Sequence, residues 1–149
     1  MSSQPLAGIP QTVVGRLVDS FKAGRVRHIF GVPGGGSSLD IIDAAAAIGI
    51  DFVLARTESA AVMMAAVTPE LSGGLGVALP TKGPGTANAT NGVAYAALDR
   101  SAVLLISDGF DADEKRYVTH QVFDQQGLLG PVTKGAARLD GAGDLANVQ

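Results

Sequence analysis

The sequence predicts an α/β protein, a mainly parallel sheet with helices on both faces in three layers. Three observations carry that prediction. Strand-sized apolar runs alternate with helix-spaced apolar positions from residue 12 to about residue 106, the pattern of βαβ units. Two strand-to-helix junctions are rich in glycine: Gly31-Val32-Pro33-Gly34-Gly35-Gly36 after His28-Ile29-Phe30, and Thr81-Lys82-Gly83-Pro84-Gly85-Thr86-Ala87-Asn88 after Leu75 to Leu79. A third junction carries a lone carboxylate, Glu58, just after Asp51-Phe52-Val53-Leu54-Ala55. Ligands of open parallel sheets bind outside the carboxyl ends of the strands. All three junctions are therefore expected along one edge.

Residues 1–10 read as a loose leader. From Thr12, the positions Val14, Leu17, Val18 and Phe21 recur at helical spacing and Gly24 supplies a stop. Ile29 and Phe30 open a short strand. Ser37 or Ser38 is placed to cap the next helix, which carries Leu39, Ile41, Ile42 and Ala45 and ends at Gly49. Phe52 to Ala55 reads as a second buried strand, and Thr57 caps a helix through the Ala/Met-rich stretch from Ala60 to Ala66, with Pro69 near its end. Gly73-Gly74 turns the chain into the strand Leu75 to Leu79. A helix from about Thr86 to Leu98 and a strand from Ala102 to Ile106 follow. Beyond Ser107, the charge-rich stretch Asp108 to Tyr117 reads as an exposed loop. Residues 118–129 are weakly helical, and Val132 to Leu139 is expected to form a final strand. Asp144 to Val148 has the look of a helix start, which leads us to expect a domain, residues 11–149, cut short at its C-terminus.

Composition sets limits. The 149 residues are enough for one domain with a real core, and 46% hydrophobic with 17% charged residues is a globular balance. A net charge of −3 without a Lys/Arg cluster argues against a nucleic-acid surface. The chain has no cysteine and only two histidines, far apart, so neither a disulfide framework nor a thiolate or histidine metal site is expected. Neither a secretory signal nor a membrane span is evident, and a cytoplasmic protein is the expectation.

The familiar phosphate loops fail on spacing. A Walker A loop needs Lys after its last glycine, and Ser37 follows Gly36. A dinucleotide fingerprint starting at Gly34 needs Gly or Ala at position 39, where Leu39 stands. The glycines either serve tight turns and close packing or let backbone approach a ligand. Glu58, one of three glutamates, also has two readings. A carboxylate suits the first turn of a helix, while apolar flanks would raise its pKa and make it a candidate acid, an effect that Arg56 opposes. Asn88 and Asn91 read as helix-start caps, Lys82 as solvent-facing, Asp99-Arg100 as a surface turn and Met63-Met64 as core filler. His120 is open between surface and site.

Taken in order, Gly31 to Gly35, Arg56-Thr57-Glu58-Ser59-Ala60-Ala61 and Thr81 to Asn88 closely resemble the N-terminal domain of thiamine diphosphate enzymes of the acetolactate synthase, pyruvate oxidase and benzoylformate decarboxylase group. The likeness runs from about Val14 to Leu139 and includes Ala94 to Asp99 and Gly127 to Lys134. It implies the thiamine diphosphate-binding fold and a pyrimidine-binding domain. By that resemblance Glu58 is catalytic, bonding pyrimidine N1′ and favouring the imino tautomer that deprotonates the thiazolium carbon. The implied cofactor-binding residues are Pro33, Gly34, Gly35, Glu58, Gly83, Pro84, Gly85, Asn88 and Gln121. Thr57, Lys82 and Val122 depart from the family's usual His, small Ser and acidic residue.

The family's diphosphate domain holds Mg²⁺ with a Gly-Asp-Gly motif and a downstream asparagine. Here Ser107-Asp108-Gly109 comes nearest, without a matching helix and Asn. The resemblance thus implies only the pyrimidine end of thiamine diphosphate in this chain, with no metal ligand, and Mg²⁺ in a partner diphosphate-binding domain. That domain is expected in the rest of a longer chain or in a separate subunit, with a homo-oligomer as the assembly. The implied activity is that of a 2-oxo acid decarboxylase or carboligase, inactive without the second domain. A non-catalytic binding or assembly module that kept the fold is the alternative.

Overall fold

The computed structural model describes residues 12–110 and 113–139. Four strands, β1 (His28–Val32), β2 (Asp51–Leu54), β3 (Gly76–Pro80) and β4 (Val103–Leu105), form one parallel sheet in the order β2-β1-β3-β4. Helices α1 (Val13–Ala23), α2 (Ser37–Ala47), α3 (Glu58–Ser72) and α4 (Pro84–Leu98) alternate with them, and a short α5 (Gln125–Leu129) follows. The period of two along each strand sorts side chains into two cores. Ile29, Val77 and Leu79 pack with Leu17, Val18 and Phe21 of α1 and Ile41 and Ala45 of α2. Phe30 and Ala78 point the other way, onto Ala61, Val62, Ala65 and Ala66 of α3 and Ala89, Val93 and Ala96 of α4. Helices on both faces of a parallel sheet are the predicted three layers.

The second core is dominated by alanine, and this brings α3 and α4 close together. At Gly92 a Cβ would lie 2.6 Å from the Ser59 carbonyl oxygen and 2.7 Å from Val62 Cβ. The two helices therefore cross at backbone distance near their site ends. Local start and stop signals hold where they rest on neighbours in sequence. Thr12 accepts from the Gly15 N–H at 3.1 Å, Thr57 accepts from the Ala60 N–H at 3.2 Å, and Gly24 is the C-cap of α1.

Several expectations are corrected. The residue capping α2 is Gly36, without a side-chain cap bond; Ser37 and Ser38 lie inside the helix and send their hydroxyls elsewhere. Strand β2 is not buried, because it is an edge strand, and Leu54 is 71% exposed. Pro69 lies near the end of α3 as expected; the helix runs on to Ser72 before Gly73 ends it in the left-handed region. Met63 is half-buried and Met64 exposed, so the pair faces outward rather than filling the core. Of residues 118–129 only α5 is helical: Gln121 has φ +66°, off the helical path, and the Asp124 carboxylate starts the helix at the Gly127 N–H.

No strand forms between Val132 and Leu139. Pro131 lacks a ladder donor, Gly130–Val132 makes a 3-10 turn, and residues 133–139 are irregular. Leu129 and Val132 instead pack against the α3/α4 core. Residues 113–117 are exposed as expected, but Asp108 is buried. The expected leader over residues 1–10 and the helix start at Asp144 to Val148 lie outside the described residues. Among the described residues no helix is long and apolar enough to cross a membrane.

Candidate functional site

The carboxyl ends of β1, β2 and β3 bring the three junctions together, and Thr81 is the wedge between them. A Cβ on Gly34 would lie 2.1 Å from Thr81 Oγ1; one on Gly85 would lie 2.5 Å from Thr81 Cγ2 and 3.2 Å from Glu58 Oε1. Two glycines on separate loops thus hold one threonine, and the second of them also faces the glutamate. At these positions the glycines serve close approach.

Glu58 is the first residue of α3 and is half-buried. Its Oε2 accepts a hydrogen bond from Asn88 Nδ2, while the Asn88 carbonyl accepts from Ser59 Oγ. Asn88 is therefore no helix cap. It sits in the second turn of α4, whose cap residue is Gly83, and its side chain and carbonyl tie α4 to the start of α3. Asn88 fixes one of the Glu58 oxygens while the other faces Gly85.

Gly83 is buried at φ +69° and lies under Gln121: a Cβ there would meet Gln121 Cβ at 2.6 Å and its Cα at 2.7 Å. The Gly83 N–H donates to Gln125 Oε1 at 3.3 Å. Gln121 is thus brought to the Gly83-Pro84-Gly85 turn. Pro84 is the first residue of α4, where a missing N–H costs no helix bond. Pro33 and Gly35 share the Gly34 loop, but a Cβ on Gly35 would meet nothing within 4 Å, so packing does not demand glycine there.

Lys82 departs from its expected course. Its ammonium lies 4.2 Å from the centre of the Phe110 ring, a cation–π contact that ties the β3 loop to the chain after β4. His120 is exposed. Asp99 and Arg100 form an exposed turn, with Arg100 at φ +58°.

Sequence reasoning missed a polar cluster beside the site. Asp108, 9% exposed, accepts hydrogen bonds from Ser37 Oγ and, at 2.7 Å, from Ser38 Oγ. Ser107, Thr86 and Gln125 continue it. The only signal was the Ser107-Asp108-Gly109 triplet, read against a metal motif that it does not form.

The donor set bears on what the site fits. A glycine-lined surface beside one oriented carboxyl suits the edge of a nitrogen heterocycle. Among the described residues no group of three or more metal-ligating side chains occurs, and the Asp108 carboxylate lies at the positive end of α2.

Comparison with known proteins places the chain in a family. Residues 11–128 match the N-terminal TPP binding domain of thiamine pyrophosphate enzymes. The acetolactate synthase isozyme 3 large subunit of Escherichia coli is 37% identical over 139 residues, covering 93% of this chain and 23% of that protein. The catabolic acetolactate synthase of Raoultella terrigena is 32% identical over 133 residues, with 89% and 23% covered. The acetolactate synthase of Bacillus subtilis is 33% identical over 133 residues, with 89% and 22% covered. The chain belongs to the family of thiamine pyrophosphate enzyme N-terminal domains, is acetolactate synthase-like, and spans about a quarter of the length of these relatives.

Proposed function

We propose that this chain is the pyrimidine-binding half-site of a thiamine diphosphate-dependent 2-oxo acid decarboxylase or carboligase of the acetolactate synthase type. One observation carries the reading: the Glu58 carboxyl is oriented between Asn88 and Gly85 at the strand ends. When bound, the cofactor supplies an acidic thiazolium carbon that serves as an electron sink beside a carbonyl. Glu58 holds the proton facing the pyrimidine N1′ position, and Asn88 keeps the carboxyl turned toward it. Gly34 and Gly85 let both loops close on Thr81 and bring their backbone up beside Glu58. The purely structural module is disfavoured, since a helix-start carboxylate has no need of an amide partner from another helix.

The diphosphate and its Mg²⁺ belong to a second domain in this proposal, and the chain alone is inactive. The outer face of α3 supports docking of that domain. Met64, Val67 and Leu71 are exposed there, beside a groove of about 490 Å³ lined by Phe30, Met63, Met64, Val67, Thr68 and Leu71. This apolar face belongs to the same helix that begins with Glu58, so one partner can cover the groove and complete the site. A homo-oligomer and a cytoplasmic location go with this reading.

Titration of the isotopically labelled chain with thiamine, which lacks the diphosphate, tests the proposal. Amide shifts are expected at Gly34, Glu58, Gly83 and Gly85, with none from inorganic diphosphate. The reverse pattern overturns the pyrimidine assignment. Decarboxylation of pyruvate by the chain alone with thiamine diphosphate and Mg²⁺ overturns the half-site.

A further inference from the structure

We infer that Asp108 is a positioning residue for this site, setting the Gly34 loop and the Gly83-Pro84-Gly85 loop at a fixed separation from each other. The purpose assigned to the loops rests on the reading above; the clamp itself rests on geometry. Asp108 is the one buried ionisable side chain among the described residues. Its carboxylate takes the hydroxyls of Ser37 and Ser38, the first two residues of α2, directly after Gly34-Gly35-Gly36. Gly36 offers no side-chain cap, and a carboxylate at this helix end compensates for that lack. The Gly34 loop is thereby anchored to the end of β4.

The other arm of the clamp is the main chain of the same residue. The Asp108 carbonyl accepts from Gln125 Nε2 at 3.1 Å, and Gln125 Oε1 accepts from the Gly83 N–H at 3.3 Å and from Ser107 Oγ at 3.1 Å. Thr86 Oγ1 lies within hydrogen-bond reach of both Ser107 Oγ and, at 3.0 Å, the Thr81 carbonyl, and its single proton goes to one of the two. Both glycine loops therefore refer their position to residues 107–108, although Gly34 and Gly83 lie far apart in sequence. Ser38 is fully buried and its hydroxyl needs an acceptor. Alanine at 108 removes that acceptor. Asparagine supplies one acceptor oxygen for two serine donors, so it is expected to restore the clamp in part.

Amide hydrogen exchange in the whole chain, without cofactor, tests the inference. The Gly83 N–H reports one arm, and the Leu39 N–H, bonded to the Gly36 carbonyl at 3.0 Å, reports the other. In Asp108→Ala the Leu39 N–H is expected to exchange about tenfold faster or more, beyond any change in the β1–β3 ladder, whereas Gly83, held through Gln125 and the main-chain carbonyl of residue 108, is expected to stay protected. Asp108→Asn is expected to fall between Ala and wild type, and it carries the test should the alanine variant not fold. Gln125→Ala is expected to release Gly83 and leave Leu39 protected. Unchanged exchange at Leu39 in Asp108→Ala, or at Gly83 in Gln125→Ala, overturns the inference, and so does a rise matched by the ladder, which marks loss of global stability alone. Because no thiamine is present, either outcome is independent of whether the pyrimidine reading holds.

Discussion

Glu58 and Asn88 belong to different strand–helix units, yet Asn88 Nδ2 donates to Glu58 Oε2. The contact exists because α3 and α4 cross closely at Gly92, on a core built mostly of alanine. Small side chains under two helices thus decide where the Glu58 carboxyl points. Removal of the donor tests that link. Asn88→Ala is expected to leave the fold intact, since the side chain is exposed, and to weaken thiamine binding several-fold, the value of about one hydrogen bond of ~1 kcal/mol. Calorimetric titration of wild type and variant checks it, and equal affinities would detach Asn88 from the site.

Thr81 and the two glycines beside it predict a coupled pair of substitutions. Gly34→Ala places a Cβ 2.1 Å from Thr81 Oγ1, an overlap expected to cost about 1–3 kcal/mol. Thr81→Ala removes the hydroxyl in the way and is expected to recover part of that loss. The two changes should be non-additive by about 1 kcal/mol or more in denaturant unfolding. Simple additivity would mean that the loops move independently.

The face of α3 predicts association. Leu71 is 84% exposed and Met64 40% exposed, so Met64→Lys with Leu71→Glu removes apolar surface without touching the core. The wild-type chain is expected to self-associate at high concentration through this patch, and the double variant to remain monomeric in light scattering. A wild-type chain that stays monomeric throughout counts against the interface.

What the sequence disclosed was local. Thr12 and Thr57 cap helices three residues ahead, the glycine loops follow their strands, and the alternation of apolar runs foretold the parallel sheet. What it concealed was distant. Ser37 and Ser38 have the composition of caps, and nothing near them in the chain shows that their acceptor is Asp108, 70 residues on. The turn at Gln121 was hidden for the same reason: a non-glycine residue at φ +66° is held by its packing on Gly83, a contact made only after folding. Strand β2 looked buried because its residues are apolar, while burial depends on whether another strand lies beyond it. The resemblance named Gly34, Glu58, Gly85 and Asn88 as candidates, and only the fold shows that Thr81 packs between Gly34 and Gly85.

The sharpest prediction concerns Glu58 in the assembled enzyme. Glu58→Gln keeps the size of the side chain, and its carbonyl oxygen still accepts from Asn88, so folding should change little. The amide cannot hand a proton to the pyrimidine N1′ position. General acid–base contributions of this kind are worth about 100- to 10,000-fold in rate, and the loss should appear in turnover and in exchange of the thiazolium proton. Cofactor affinity should fall much less, because the proposed diphosphate anchor lies in the other domain. The contrast between the two readouts carries the test. A merely structural carboxylate would lower stability and affinity together and leave proton exchange in the bound cofactor at the wild-type rate; that result would reduce Glu58 to a helix-start residue and remove the mechanism proposed for it.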